Sequence, residues 1–150
     1  MADSGNTRKR NIRWGRVILA AVMSEVAVIL LLLAVILVYS RWITPGLSDA
    51  AYQDLGQRIG YYVAPTAGFV STFLFVLWVA RKLSSDFVAN GIWVGIVSVL
   101  LTFAFIFSAK SEDRAMYVIA FALRIIAGYA GGLVSQRRRG APRETVSSTA

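Results

Sequence analysis

Glu25 and Arg124 are the only charged side chains that lie inside the long apolar stretches of this sequence. A charge at the centre of a bilayer costs about 2.5–3.5 kcal/mol on insertion scales, so such residues usually face each other or a polar cavity. Their opposite signs predict an ion pair. Such a pair is either a structural link between two helices or part of a site in which the carboxylate handles protons.

Composition assigns the class of protein. Hydrophobic residues make up 57% of the 150 residues and the mean hydropathy is +0.61, which is too apolar for a soluble domain of this size. Four runs, at about 17–40, 59–80, 87–109 and 115–135, each approach the ~20 residues that span a bilayer. We therefore expect an all-α polytopic membrane protein, an antiparallel four-helix transmembrane bundle in a single domain, 1–150.

The segments outside these runs are polar. Residues 1–13 and the basic residues 137–150 have the composition of solvated chain, so both tails are expected to be disordered. The first outer loop is long enough for structure of its own. A helix could begin there, because Ser48 offers an N-cap and Asp49 follows it. Either a short interfacial helix or a partly ordered loop fits this segment.

The formal net charge of +8 is distributed unevenly between the two sides of the predicted bundle. The positive-inside rule places the more basic side, and with it both termini, in the cytoplasm. We expect a multi-pass protein of the bacterial inner membrane whose basic termini contact anionic lipid headgroups, and no nucleic-acid partner, because groove-reading or stacking elements are not evident. Eleven cations lie on the cytoplasmic side (8, 9, 10, 13, 16, 81, 82, 137, 138, 139 and 143) and four on the other (41, 58, 110 and 114).

Depth along each helix predicts which polar groups meet. At 1.5 Å per residue from the cytoplasmic ends, Glu25 lies ~12 Å deep, Arg124 ~15–18 Å, Ser71 ~14 Å and Ser98 ~16 Å. These four residues should form one polar layer in which the serine hydroxyls complete the hydrogen bonds of the ion pair. The favoured interpretation is a structural pair that sets which face of helix one meets helix four, and partners from another subunit are a further possibility.

Small residues predict where the helices approach closely. Gly91 and Gly95 form a G-x-x-x-G motif on helix three, and Gly128 and Gly132 lie on one face of helix four. In membranes such stripes usually mark helix–helix contacts, here within the bundle or, alternatively, in a homo-oligomer. Trp93 and Thr102 on helix three are candidates for lining a pocket.

Several kinds of chemistry are excluded by residue type. The sequence has no Cys and no His, which rules out disulfides and thiolate or imidazole metal ligands. P-loop, G-x-S-x-G and H-E-x-x-H motifs are missing. We therefore predict no enzymatic activity, no metal site and no cofactor.

Two resemblances add expectations. A glycine-rich last helix that runs into a basic stop, here Gly131-Gly132-Leu133-Val134-Ser135-Gln136-Arg137, resembles small four-span bacterial inner-membrane proteins of unassigned function. Ser24-Glu25-Val26, and Ile92-Trp93 followed by Gly95, resemble segments of the small multidrug resistance transporters, dimers of four-span subunits that exchange protons for cationic drugs. This second resemblance implies that Glu25 is the shared proton and cation site and that Trp93 lines the drug pocket.

Overall fold

The computed structural model describes residues 12–103, 107 and 114–140. This part of the chain forms four helices and no strand: α1 (Trp14–Val38), α2 (Asp49–Ala80), α3 (Phe87–Thr102) and α4 (Arg114–Gly140). By length and composition, α1, α2 and α4 could each cross a membrane, whereas α3 is a shorter apolar helix. The all-α class predicted from the sequence is confirmed.

The connection between α1 and α2 is more ordered than a short separate helix or a partly ordered loop. A π-helical turn, Tyr39–Ile43, continues α1, and the Tyr52 hydroxyl donates a 3.0 Å hydrogen bond to the Thr44 carbonyl just beyond it. Ser48 caps α2 by accepting from the Ala51 backbone N–H. From there α2 runs without interruption to Ala80, so the helix begins well before the boundary predicted at residue 59.

The ends of α3 and α4 also differ from the expected boundaries. The stretch predicted as the end of helix three falls largely outside the described residues, as do residues 1–11 and 141–150 of the expected tails. α4 continues through the arginines at 137–139 to Gly140, although this segment was expected to be disordered. The physical reason is a tertiary contact: the Arg139 side chain bonds the last carbonyls of α2.

The helices are arranged so that consecutive helices are not always neighbours. α1 packs on α2 and α3, and α4 packs on the same two helices. α1 and α4 lie across the bundle from each other with almost no direct backbone contact, and α2 and α3 make few contacts despite the short turn that joins them. A side chain that joins α1 to α4 must therefore cross the centre of the bundle.

The interior of the bundle is built from small and β-branched residues. Val17, Ala20 and Ala21 of α1 are fully buried against Val76 and Val94. Long apolar side chains point outward instead, and Leu30 and Leu37 are 61% and 67% exposed. An apolar exterior around a tightly packed interior of small residues is typical of helices that pack within a bilayer.

Candidate functional site

Glu25 and Arg124 are in contact. Nη1 of Arg124 donates a hydrogen bond to Oε1 of Glu25. The side chain of Glu25 is only 13% exposed and that of Arg124 only 8%. The same nitrogen lies 3.3 Å from the Ser98 carbonyl oxygen and 3.3 Å from Oγ1 of Thr102. One nitrogen of the α4 guanidinium therefore joins α1 and α3 at a buried position.

α2 contributes the space in which the guanidinium lies. Gly68 of α2 faces Arg124, and a Cβ at this position would lie 3.0 Å from Nε and 3.3 Å from Nη2. A larger residue would have to displace the guanidinium, so a glycine fits this position. All four helices thus meet at one charged layer, which we define as Glu25, Gly68, Ser98, Thr102 and Arg124.

Ser71 lies outside the charged layer, which corrects the prediction that its hydroxyl bonds the ion pair. Ser71 Oγ donates to the Ser24 carbonyl at 3.0 Å, and the Ser24 hydroxyl lies 3.2 Å from the hydroxyls of both Ser71 and Thr72. The Ser71 side chain is directed toward the interface with α1, where it meets the residue that precedes Glu25. Ser24, Ser71 and Thr72 form a separate hydroxyl cluster between α1 and α2.

Ser98 belongs to the charged layer through its backbone. Its carbonyl oxygen accepts from Arg124 and, at 2.9 Å, from the Thr102 hydroxyl. The Thr102 hydroxyl therefore donates to a carbonyl of its own helix and accepts from Arg124. It is a second polar link between α3 and α4. The Ser98 hydroxyl is buried next to the Glu25 carboxylate, but its geometry falls outside the limits of an ordinary hydrogen bond to any described residue.

Trp93 and Thr102, the two candidates for pocket lining, are not brought together. The Trp93 ring packs on Trp14, with ring centroids 4.9 Å apart, at the end of the bundle where α1 begins. Thr102 lies nine residues further along α3, or about 13 Å at 1.5 Å per residue, in the charged layer. A single pocket of ordinary ligand size beside Glu25 therefore does not include Trp93.

The four glycines singled out in the sequence lie in the interface between α3 and α4. A Cβ on Gly91 would collide with the Gly128 carbonyl oxygen, and the reverse substitution would meet the Gly91 carbonyl. A Cβ on Gly95 would lie 2.7 Å from the Arg124 carbonyl oxygen, and one on Gly132 would lie 2.7 Å from the Val88 Cα. The backbones of α3 and α4 approach so closely that these positions have no room for a side chain, as expected for glycine-mediated packing.

Asn90 is a structural polar residue that the sequence analysis did not single out. It is 1% exposed, accepts from the Arg13 backbone N–H at 3.0 Å and donates to the Asp86 carbonyl at 2.9 Å. The amide thus satisfies a backbone donor at the start of α1. An amide side chain within an otherwise apolar run was the available signal, since buried polar groups need partners.

The layer offers charge neutralisation and hydrogen bonding. Within residues 12–103, 107 and 114–140, no three acidic, His or Cys side chains cluster as metal ligands would. No protein family, curated protein or solved structure matches the chain.

Proposed function

We propose that this chain is a small integral membrane protein of structural or accessory type, in which the Glu25–Arg124 pair locks the first helix to the last. The enclosure of the pair carries this proposal, because Arg124 is 6% exposed and contacts groups from α1, α2 and α3. α1 and α4 make almost no direct backbone contact, and the pair joins these two helices across the bundle. Buried ionic groups of this kind add specificity of packing more than net stability.

The surroundings of Glu25 favour a lock over a transport site. A carboxylate that exchanges protons for a cation must be open to that cation, whereas the Arg124 guanidinium occupies this position. A cavity lined by Val76, Leu83 and Val94, among others, is largely apolar and touches neither charged side chain. These observations support the proposal of an enclosed structural contact.

Proton-coupled transport of cations, with Glu25 as the membrane carboxylate, is the alternative suggested by Ser24-Glu25-Val26. A direct test uses the purified wild-type protein in detergent and tetraphenylphosphonium as the cation. If the pair is a lock, addition of the cation should release no protons beyond those released by a protein-free detergent control. Stoichiometric proton release by wild-type protein, abolished in a folded Glu25→Gln variant, would overturn the structural proposal.

The orientation we propose places both termini in the cytoplasm of a bacterium and the turn between α1 and α2 outside. Cations near the α2–α3 turn and the start of α1 outnumber those at the opposite end of the described bundle. Alkaline phosphatase fused after Gly46 should therefore be active and a fluorescent protein fused after Ala150 should fluoresce. The reciprocal fusions are the control, and the opposite pattern would contradict the orientation.

A further inference from the structure

The turn that ends α2 gathers positive charge from three segments of the chain. Arg16, near the start of α1, donates from Nη1 to the Lys82 carbonyl. Arg139, near the end of α4, donates from Nη2 to the carbonyls of Ala80, at 3.1 Å, and Arg81. Both arginines therefore bond backbone carbonyls at the turn that ends α2, and the Ala80 carbonyl also accepts from the Leu83 backbone N–H.

These contacts do not neutralise the arginines, because a backbone carbonyl carries no net charge. An arginine has five N–H donors, and each of these two has a bond to this turn from only one terminal nitrogen. The described salt bridges, Asp54–Arg58 and Glu25–Arg124, lie elsewhere, and Asp86 is the one carboxylate of this turn among the described residues. We call this surface the basic end, and within the described residues it consists of Arg13, Arg16, Arg81, Lys82, Arg137, Arg138 and Arg139.

Aromatic rings lie at the level of the basic end. Trp14 and Trp78 are 48% and 45% exposed, as is common for tryptophans at the boundary between headgroups and hydrocarbon. The Lys82 ammonium lies 6.0 Å from the Trp78 ring centroid. Ile18, one turn beyond Trp14, is 49% exposed. Cations, indole rings and exposed aliphatic groups thus follow one another in the order of a phospholipid's phosphate, glycerol and acyl chains.

We propose that the basic end is a binding surface for the phosphate of an anionic phospholipid. Arg81 and Lys82 carry the phosphate contact, with Arg16 and Arg139 held on either side by their bonds to the same turn. The adjacent apolar surface favours a lipid over a free anion. This inference is independent of the Glu25–Arg124 lock, because the charged layer lies deeper in the bundle and shares no residue with the basic end.

The test compares two variants with equal loss of charge. Arg81→Gln/Lys82→Gln removes two exposed cations and leaves the bonds from Arg16 and Arg139 in place, because those bonds use backbone carbonyls. Arg41→Gln/Arg114→Gln removes two exposed cations at the opposite end and is the matched control. Native mass spectrometry of the full chain in detergent would measure the affinity for dioleoyl phosphatidylglycerol, with dioleoyl phosphatidylcholine and inorganic phosphate as comparison ligands.

Wild-type protein should prefer phosphatidylglycerol to phosphatidylcholine, and added salt should weaken the preference. A cation near a lipid surface contributes roughly fivefold in affinity, so Arg81→Gln/Lys82→Gln should lose about 25-fold for phosphatidylglycerol. The control should change less than twofold. Equal losses in the two variants, no lipid preference in wild type, or displacement of lipid by equimolar inorganic phosphate would each overturn the proposal. The wild-type comparisons decide it even if a variant does not fold.

Discussion

Glu25→Leu is expected to lower the free energy of unfolding by about 3–5 kcal/mol, because it leaves the buried Arg124 guanidinium without its counter-charge. Arg124→Met should have a similar cost, since it strands the carboxylate. The double variant Glu25→Leu/Arg124→Met should recover most of this loss, because apolar side chains of similar volume can replace a buried pair at little cost. Unfolding of the purified variants in mixed micelles, followed by circular dichroism, measures all three values.

The exposed pair between Asp54 and Arg58 provides the control for this cycle. Nε of Arg58 lies 3.0 Å from Oδ2 of Asp54, but the side chains of Asp54 and Arg58 are 62% and 75% exposed. Arg58→Met should therefore lower the free energy of unfolding by less than about 1 kcal/mol. Should the double variant lose as much as the two single variants together, the charges would not compensate each other. That outcome would contradict the lock.

Gly91→Ala is expected to cost about 3 kcal/mol, toward the upper end for overpacking. The added methyl group would collide with the Gly128 carbonyl oxygen, and a backbone atom cannot move aside without separating α3 from α4. Gly128→Ala creates the reciprocal collision and should cost a similar amount. The same unfolding assay in mixed micelles measures the effect.

Gly60→Ala is the matched control for the glycine substitutions. Gly60 lies within α2, and a Cβ at this position would have no neighbour within 4 Å. Alanine there should be neutral or stabilise the helix by about 0.5–1 kcal/mol, because glycine loses more backbone entropy on folding. If Gly91→Ala and Gly60→Ala have the same effect, the close approach of α3 and α4 does not contribute to stability.

The contact between Glu25 and Arg124 was predictable because depth in a membrane helix follows directly from residue number. The rise of 1.5 Å per residue places both charges near mid-membrane, and the cost of an isolated charge there requires a partner. The same reasoning places Ser71 in the layer of the ion pair, whereas its hydroxyl bonds Ser24. Rotation about the helix axis decides which neighbour a side chain meets, and that rotation depends on the packing of α2 against α1.

The helix boundaries show a second limit of sequence reasoning. Hydropathy marks the apolar part of a helix, so it predicted a start near residue 59 for the helix that begins at Asp49. The polar first turns of α2 are supported by Tyr52, which bonds backbone carbonyls near the end of α1. The last turn of α4 is likewise supported by α2, because Arg139 donates to the Ala80 carbonyl. Contacts between segments distant in sequence leave no trace in local hydropathy.

The sequence by itself determined the all-α class, the apolar helices and the need for Glu25 and Arg124 to compensate each other, because these follow from composition, helix rise and the cost of burying charge. Only the tertiary structure decided that α1 and α4 lie diagonally opposite, that Gly68 makes room for the guanidinium and that Thr102 accepts from it. The order of helices around a bundle and their rotations are set by side-chain packing among all four helices at once. No single segment encodes that arrangement.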